Sequence, residues 1–189
     1  MRSDHREIEH KFLVPEGFDV DALGARLVAA GAGDAKRLTV RDTYFWRDDL
    51  PGAVFRHRID RELHQFTVKS SGPDAAVRTE VNLDLSGPDA ADTVAAFLTA
   101  AWGPCRRFGV TKEIRVWEVG GFEVVQYVAT GEQGRIVRCV EFEATGDAPP
   151  ERALEALEAF EARFGFDPRD RCRSSLFHLM TTSDAQTTR

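Results

Sequence analysis

The sequence predicts an α+β domain of eight largely antiparallel strands with helices packed on their outer side. Two observations lead there. Short runs with two-residue alternation of polar and apolar side chains recur at close spacing, and three longer segments place apolar residues at helical spacing. A third observation sets the organisation: no linker-like stretch and no internal repeat divides the chain, so residues 1–181 read as one domain and 182–189 as a polar tail.

The elements follow in order. The spacing predicts a strand over 7–14, where Ile8 opposes Glu7 and Glu9 across the pleat, closed by Pro15 and Gly17. Asp19 is the expected cap of a helix over 20–30, with Leu23, Leu27 and Ala30 on one face and Gly31 and Gly33 after it. Strands over 38–47 and 54–59 flank the turn formers Asp48, Asp49, Pro51 and Gly52, and strands over 65–69 and 77–85 flank Ser70-Ser71-Gly72-Pro73. A second helix over 88–101 presents Val94, Phe97 and Leu98. Strands over 106–117, 122–128 and 135–144 come next, the first two joined through Gly120 and Gly121. A third helix over 150–164 carries Leu154, Leu157, Phe160 and Phe164, and a short helix over 174–180 ends the domain. A sheet of eight strands usually curls or closes.

Composition narrows the function. Of 189 residues, 25 are Lys or Arg and 31 Asp or Glu, a formal charge of −6 that argues against a general nucleic-acid binder. No run reaches the roughly 20 apolar residues of a membrane span, and the first residues lack the apolar stretch of a signal peptide, so a cytoplasmic protein without a membrane partner is expected. Cys105, Cys139 and Cys172 fit neither a disulfide framework nor a zinc cluster and are expected as reduced thiols.

The informative pattern is where the charges fall. Period 2 puts Glu7, Glu9 and Lys11 on one strand face, with neighbours about 6.5–7 Å apart. Arg56 and Arg58, then Gln65, Thr67 and Lys69, then Arg78, Glu80, Asn82 and Asp84, and finally Glu141 and Glu143 repeat the arrangement opposite apolar residues. Three amphipathic helices also need an apolar partner, and the outer face of the sheet is the one available. The apolar strand faces therefore turn outward and the charged faces line the lumen. Carboxylates there offer hard oxygen ligands for Mg²⁺ or Mn²⁺, while arginine and lysine bind phosphate oxygens. No glycine-rich phosphate loop is present, so side chains must hold the phosphate.

These residues resemble a known family. Glu7-Ile8-Glu9-His10-Lys11 is similar to the N-terminal Glu-x-Glu-x-Lys motif of the CYTH superfamily, the triphosphate tunnel metalloenzymes, which includes class IV adenylate cyclases, thiamine triphosphatases and inorganic triphosphatases. Asp42-Thr43-Tyr44-Phe45, Arg56-His57-Arg58, Phe66-Thr67-Val68-Lys69, Arg78-Thr79-Glu80, Lys112, Glu141-Phe142-Glu143 and Arg173-Ser174-Ser175 follow in family order. The resemblance implies an eight-stranded antiparallel tunnel that binds a triphosphate with divalent metal. It implies metal at Glu7, Glu9, Glu141 and Glu143, and phosphate at Lys11, Arg56, Arg58, Lys69, Arg78 and Lys112. Glu7, Glu9 and Glu80 are the residues it implies in catalysis. Gln126 stands where relatives commonly carry an acid, Arg115 falls on the opposite strand face from Lys112, and Leu176 replaces a frequent tyrosine.

The expected reaction is metal-dependent hydrolysis of a phosphoanhydride in inorganic triphosphate, thiamine triphosphate or a nucleoside triphosphate. Cyclisation of ATP to cyclic AMP and non-catalytic binding of polyphosphate or an organic phosphate are the alternatives, and a homodimer is compatible with all three. The five histidines show no metal-ligand spacing and are expected in surface or packing roles. Ser174 and Ser175 read as a helix cap, Trp46, Trp102 and Trp117 as packing between sheet and helices, and the Glu-rich segment over 151–161 as a solvated helix face.

Overall fold

The computed structural model describes residues 5–49, 54–61, 63–69, 77–85, 90–146 and 148–182, and the side chains of residues 5–7, 69, 77–80 and 90–91 lie outside that description. Its strands are β1 (His5–Leu13), β2 (Lys36–Trp46), β3 (Val54–Ile59), β4 (His64–Lys69), β5 (Val77–Asp84), β6 (Arg106–Val119), β7 (Phe122–Gly131) and β8 (Ile136–Ala144). The helices are α1 (Val20–Ala29), α2 (Ala90–Trp102), α3 (Pro150–Arg163) and α4 (Leu176–Thr181). Every expected strand and helix is present. Residues 88–89, the expected start of the second helix, and 183–189 of the tail lie outside the described residues.

All strand pairs are antiparallel, in the order β1-β5-β4-β3-β2-β6-β7-β8, and the sheet curls until the ring of pairings closes through β1. His5 to Ile8 pair with β5, whereas Glu9 to Leu13 pair with β8. Past the end of the β5 pairing, the segment after α3 lies against β1: Phe12 bridges Arg171, and the Cys172 N–H donates to the Lys11 carbonyl at 2.7 Å. The β6–β7 register is set by a two-residue turn, Gly120 (φ 57°) and Gly121 (φ 85°), both in the left-handed region that the tight hairpin requires and that glycine adopts without strain.

Alternation sorts the side chains into two sets. Outward from β1 and β6–β8, Ile8, Phe12, Trp117, Val119, Val124, Val140 and Phe142 pack against Leu23 and Leu27 of α1 and Ala153, Leu157, Phe160 and Phe164 on the α3 side. Outward from β2–β4, Phe45, Phe55 and Phe66 meet Val94 and Leu98 of α2. Each of the buried Val, Leu, Ile and Phe side chains contributes roughly 1.5–3 kcal/mol. α1 comes close to the sheet because residue 24 is glycine: a Cβ there would sit 3.1 Å from the Trp117 ring. Asp19 caps α1 by accepting from the Ala22 N–H at 2.8 Å, and Arg26 donates to the carbonyls of Phe164 and Arg163 at the end of α3.

Two placements depart from the sequence reading. α4 does not join the outer layer: Leu176, with Phe177, Leu179 and Met180, packs on inward residues, including Val40, Tyr44, Val110, Ile114, Tyr127, Ala129, Val137 and Cys139. Helical periodicity shows that α4 has an apolar stripe but not which side of a closed sheet receives it. Trp46 accordingly contacts Phe177, at 5.3 Å between ring centroids, whereas Trp102, the last residue of α2, packs onto Phe55 of the sheet and Trp117 lies under α1. The second departure is Glu161, which is fully buried while Glu151, Glu155 and Glu158 remain exposed. Its carboxylate meets His10 Nδ1 at 2.9 Å and Arg171 Nε at 2.9 Å, because α3 crosses the outer side of β1.

Ser175 caps α4 by accepting from the His178 N–H, and the three cysteines are free thiols. Removing the buried carboxylate leaves His10 and Arg171 without their shared acceptor. Glu161→Ala should therefore lower unfolding stability by about 3 kcal/mol, read as a reduced urea midpoint at unchanged slope.

Candidate functional site

The register brings the inward charges to one wall. Glu9 faces Glu143 and Lys11 faces Glu141 across β1 and β8. Across β2 and β3, Asp42 faces Arg58 and Tyr44 faces Arg56, and the same rungs continue to Gln65 and Thr67 on β4 and to Asp84 and Asn82 on β5. Lys112 of β6 pairs with Val40, one inward position from Asp42. The backbone also sets Lys69 opposite Glu80 and Glu7 opposite Arg78. The side chains of Glu7, Lys69, Arg78 and Glu80 lie outside the described residues.

The described charges form a belt rather than isolated pairs. Lys11 Nζ lies 3.0 Å from a Glu141 oxygen and 3.9 Å from Glu9. Tyr127 donates its hydroxyl to Glu141 at 2.9 Å, and its ring lies 5.4 Å beneath Lys112 Nζ. Lys112 reaches Asp42 at 2.6 Å, and Arg58 meets both oxygens of the same carboxylate at 2.8 and 3.1 Å. Arg56 donates to the Thr67 hydroxyl, which in turn donates to Asn82. The wall thus runs from β1 through β8, β7, β6 and β2 to β5.

Burial makes each pairing matter. It works to raise Asp42, but Lys112 and Arg58 outweigh it and hold that carboxyl well below the usual range. Burial likewise opposes the charged form of Glu141, yet Lys11 pulls it down to about 2. Lys11 would be depressed by burial alone, but Glu141 and Glu9 keep it well above the ordinary lysine value. Lys112 behaves oppositely: burial and then Arg58 push it down to about 8 against the pull of Asp42. Burial and Glu141 raise the Cys139 thiol to about 12, which removes it as a nucleophile at neutral pH.

Three inward groups carry no assigned role in the sequence reading. Asp42 was visible only as part of a motif, and Tyr127 lies on a strand read for Gln126 instead. Gln126 in fact pairs with Val140 and Arg115 and lies on the helix-covered face, while its neighbours Val125 and Tyr127 turn inward. Arg115 is on the outer side as expected, 2.6 Å from Asp21 of α1. The third is Glu123, which continues a row of acids in register, Glu118, Glu123, Glu143 and Glu9, on β6, β7, β8 and β1. Burial and Glu118 raise its carboxyl. Counting alternate positions from the Gly120-Gly121 turn would have found it.

Glu9, Glu141 and Glu143 supply the hard oxygen donors that Mg²⁺ or Mn²⁺ prefers, so the donor chemistry fits a divalent cation. Among the described residues, no three acidic, histidine or cysteine side chains are drawn together closely enough to hold one. The Lys11 ammonium lies between Glu9 and Glu141 and pairs with both.

The CYTH domain family model matches residues 5–168. The chain belongs to the CYTH family. No curated protein matches it. Solved structures with the same fold include a conserved hypothetical protein of Pyrococcus furiosus, 19% identical with a TM-score of 0.70, covering 92% of this chain and 99% of that one. The PH1012 protein of Pyrococcus horikoshii OT3 is 17% identical with a TM-score of 0.69, covering 89% and 96%. A Vibrio parahaemolyticus protein described as a candidate adenylate cyclase is 17% identical with a TM-score of 0.64, covering 95% and 100%. At such identities the likeness establishes the CYTH fold and no shared activity. Among the described residues no helix is long and apolar enough to cross a membrane.

The depressed carboxyls give this CYTH chain a defined acid limb. Asp42 and Glu141 bind fewer protons folded than unfolded, so their contribution is complete above about pH 4.5 and is lost as pH falls towards 2. Thermal melts followed by circular dichroism should show a midpoint that falls through that window, and Glu141→Gln should make the fall shallower.

Proposed function

We propose that the protein hydrolyses a phosphoanhydride bond of a small triphosphate bound within the barrel, with a divalent metal ion. The observation that carries this reading is the cationic wall: Lys11, Arg56, Arg58 and Lys112 come from three strands, β1, β3 and β6, and reach inward beside carboxylates. A polyanion suits such a wall because several fixed cations can engage successive phosphate groups at once.

In this reading Lys11, Arg56, Arg58 and Lys112 bind and orient the phosphates, with Lys69 and Arg78 added from the family pattern. Glu9, Glu141 and Glu143, with Glu7, would hold Mg²⁺ or Mn²⁺. When bound, such an ion polarises a phosphoryl group and favours attack by water. Of the carboxylates, Glu141 is kept ionised by Lys11 and Tyr127, so it remains an acceptor at neutral pH. The apolar side of the bore, built by Val110, Ile114, Ala129, Val137 and α4, limits water around the charged belt and strengthens its electrostatics.

The deciding experiment measures phosphate release from tripolyphosphate, thiamine triphosphate and nucleoside triphosphates, with Mg²⁺, with Mn²⁺ and with neither. Metal-dependent turnover of at least one is expected, and turnover of none would remove the proposal. Cyclic AMP formed from ATP would replace hydrolysis by cyclisation in the same site. Arg56→Ala should weaken tripolyphosphate binding by about 2 kcal/mol with little change in melting temperature. Glu9→Gln should blunt the response of activity to added metal, and an unaltered metal titration would take Glu9 out of the metal site.

A further inference from the structure

Asp42 is a carboxylate in a wall otherwise suited to phosphate, and its placement calls for an explanation. It has no solvent exposure. Arg58 approaches with Nε at 2.8 Å and Nη2 at 3.1 Å, a fork that fixes the guanidinium plane as well as its position. Lys112 arrives from the other neighbouring strand at 2.6 Å, where its ammonium also rides over the Tyr127 ring. One carboxylate against two cations leaves the trio at +1, so the group still attracts an anion.

Long basic side chains lose considerable rotamer freedom when a ligand gathers them. A side chain already fixed in the folded protein loses little more on binding. We propose that Asp42 is the positioning residue of the cationic wall: it sets Arg58 and Lys112 side by side before a triphosphate arrives, so that the phosphates meet a preformed pair. This rests on the triphosphate reading above and extends it to a residue that touches no substrate.

A second consequence separates positioning from simple structural support. The groups facing Lys112 are Asp42 on β2, Arg56 and Arg58 on β3, Tyr127 on β7 and Glu141 on β8. Burial and the two arginines oppose its protonation, whereas Asp42 supports it. Without the Asp42 charge, Lys112 loses its proton at lower pH, and the affinity for a polyanion should fall off earlier as pH rises.

Calorimetric titration with inorganic tripolyphosphate at about pH 6 and about pH 8 tests this in the parent, Asp42→Asn and Asp42→Glu. Asp42→Asn should bind about tenfold more weakly than the parent at the higher pH, with a smaller deficit at the lower. Asp42→Glu keeps the charge but moves it by one methylene; it should also bind more weakly, with the parent's pH dependence. Should Asp42→Asn fail to fold, the Asp42→Glu affinity decides alone, and parent-like binding by it overturns the proposal. A pH-independent deficit in folded Asp42→Asn, or tighter binding, also overturns it while leaving the triphosphate reading intact. A parent that binds no tripolyphosphate at either pH removes that reading and the proposal together.

Discussion

Opposite charges in the bore must neutralise each other before any ligand is present, and most of the structure is arranged around that need. An ion taken from water without a partner costs several kcal/mol even after relaxation. The bore meets this with Lys11 beside Glu9 and Glu141, and with Asp42 between Arg58 and Lys112. Because alternate residues of a strand point to opposite faces, inward charges leave apolar residues facing out, where they would be exposed without a cover. α1, α2 and α3 provide it, over Phe12 and Phe142 on one side and Phe55 and Phe66 on another. The outer helices and the inner ion pairs are therefore two results of one alternation.

β1 shows how tightly the two layers are joined. Glu9 and Lys11 turn inward to the charged belt, while between them His10 turns outward to Glu161 of α3. Phe12 enters the outer core, and the backbone at Lys11 and Phe12 holds Cys172 and Arg171. Arg171 then returns to Glu161. A single strand thus fixes the inner charges, the outer helix and the approach to α4, and its register cannot slip without moving all three.

The strand count, the order of elements and the two-sided character of β1, β3 and β8 were legible because alternation is a local property. What escaped the sequence was set by contacts distant in the chain. Asp42 was hard to read because its strand runs Val40-Arg41-Asp42-Thr43-Tyr44, with polar residues on both faces, and only the pairing with Arg58 and Lys112 reveals its place. The face of Gln126 depended on the register from the Gly120-Gly121 turn, which places Phe122 opposite Val119 and so sends Glu123, Val125 and Tyr127 inward. Glu161 looked like another solvated glutamate until His10 of β1, far away in sequence, and Arg171, in the segment that folds back after α3, met its carboxylate. The inward seat of α4 is the same kind of information: a stripe gives a helix a face but not a partner.

Pairing in the bore also bears on what can enter it. Buried ion pairs are poor sources of net stability, and here the outer apolar clusters carry that burden, which leaves the inner charges open to selection for binding. Lys11 is engaged by Glu9 and Glu141, so an anion that recruits it must offer more than those carboxylates already do, whereas Arg58 and Lys112 would be recruited with Asp42 still between them. A ligand with a single phosphate group adds few contacts to offset the displaced pairings and its own desolvation. A chain of phosphates reaches several cations together and brings charge enough to compete. The same carboxylates that allow the wall to be buried would thus bias it towards polyanions.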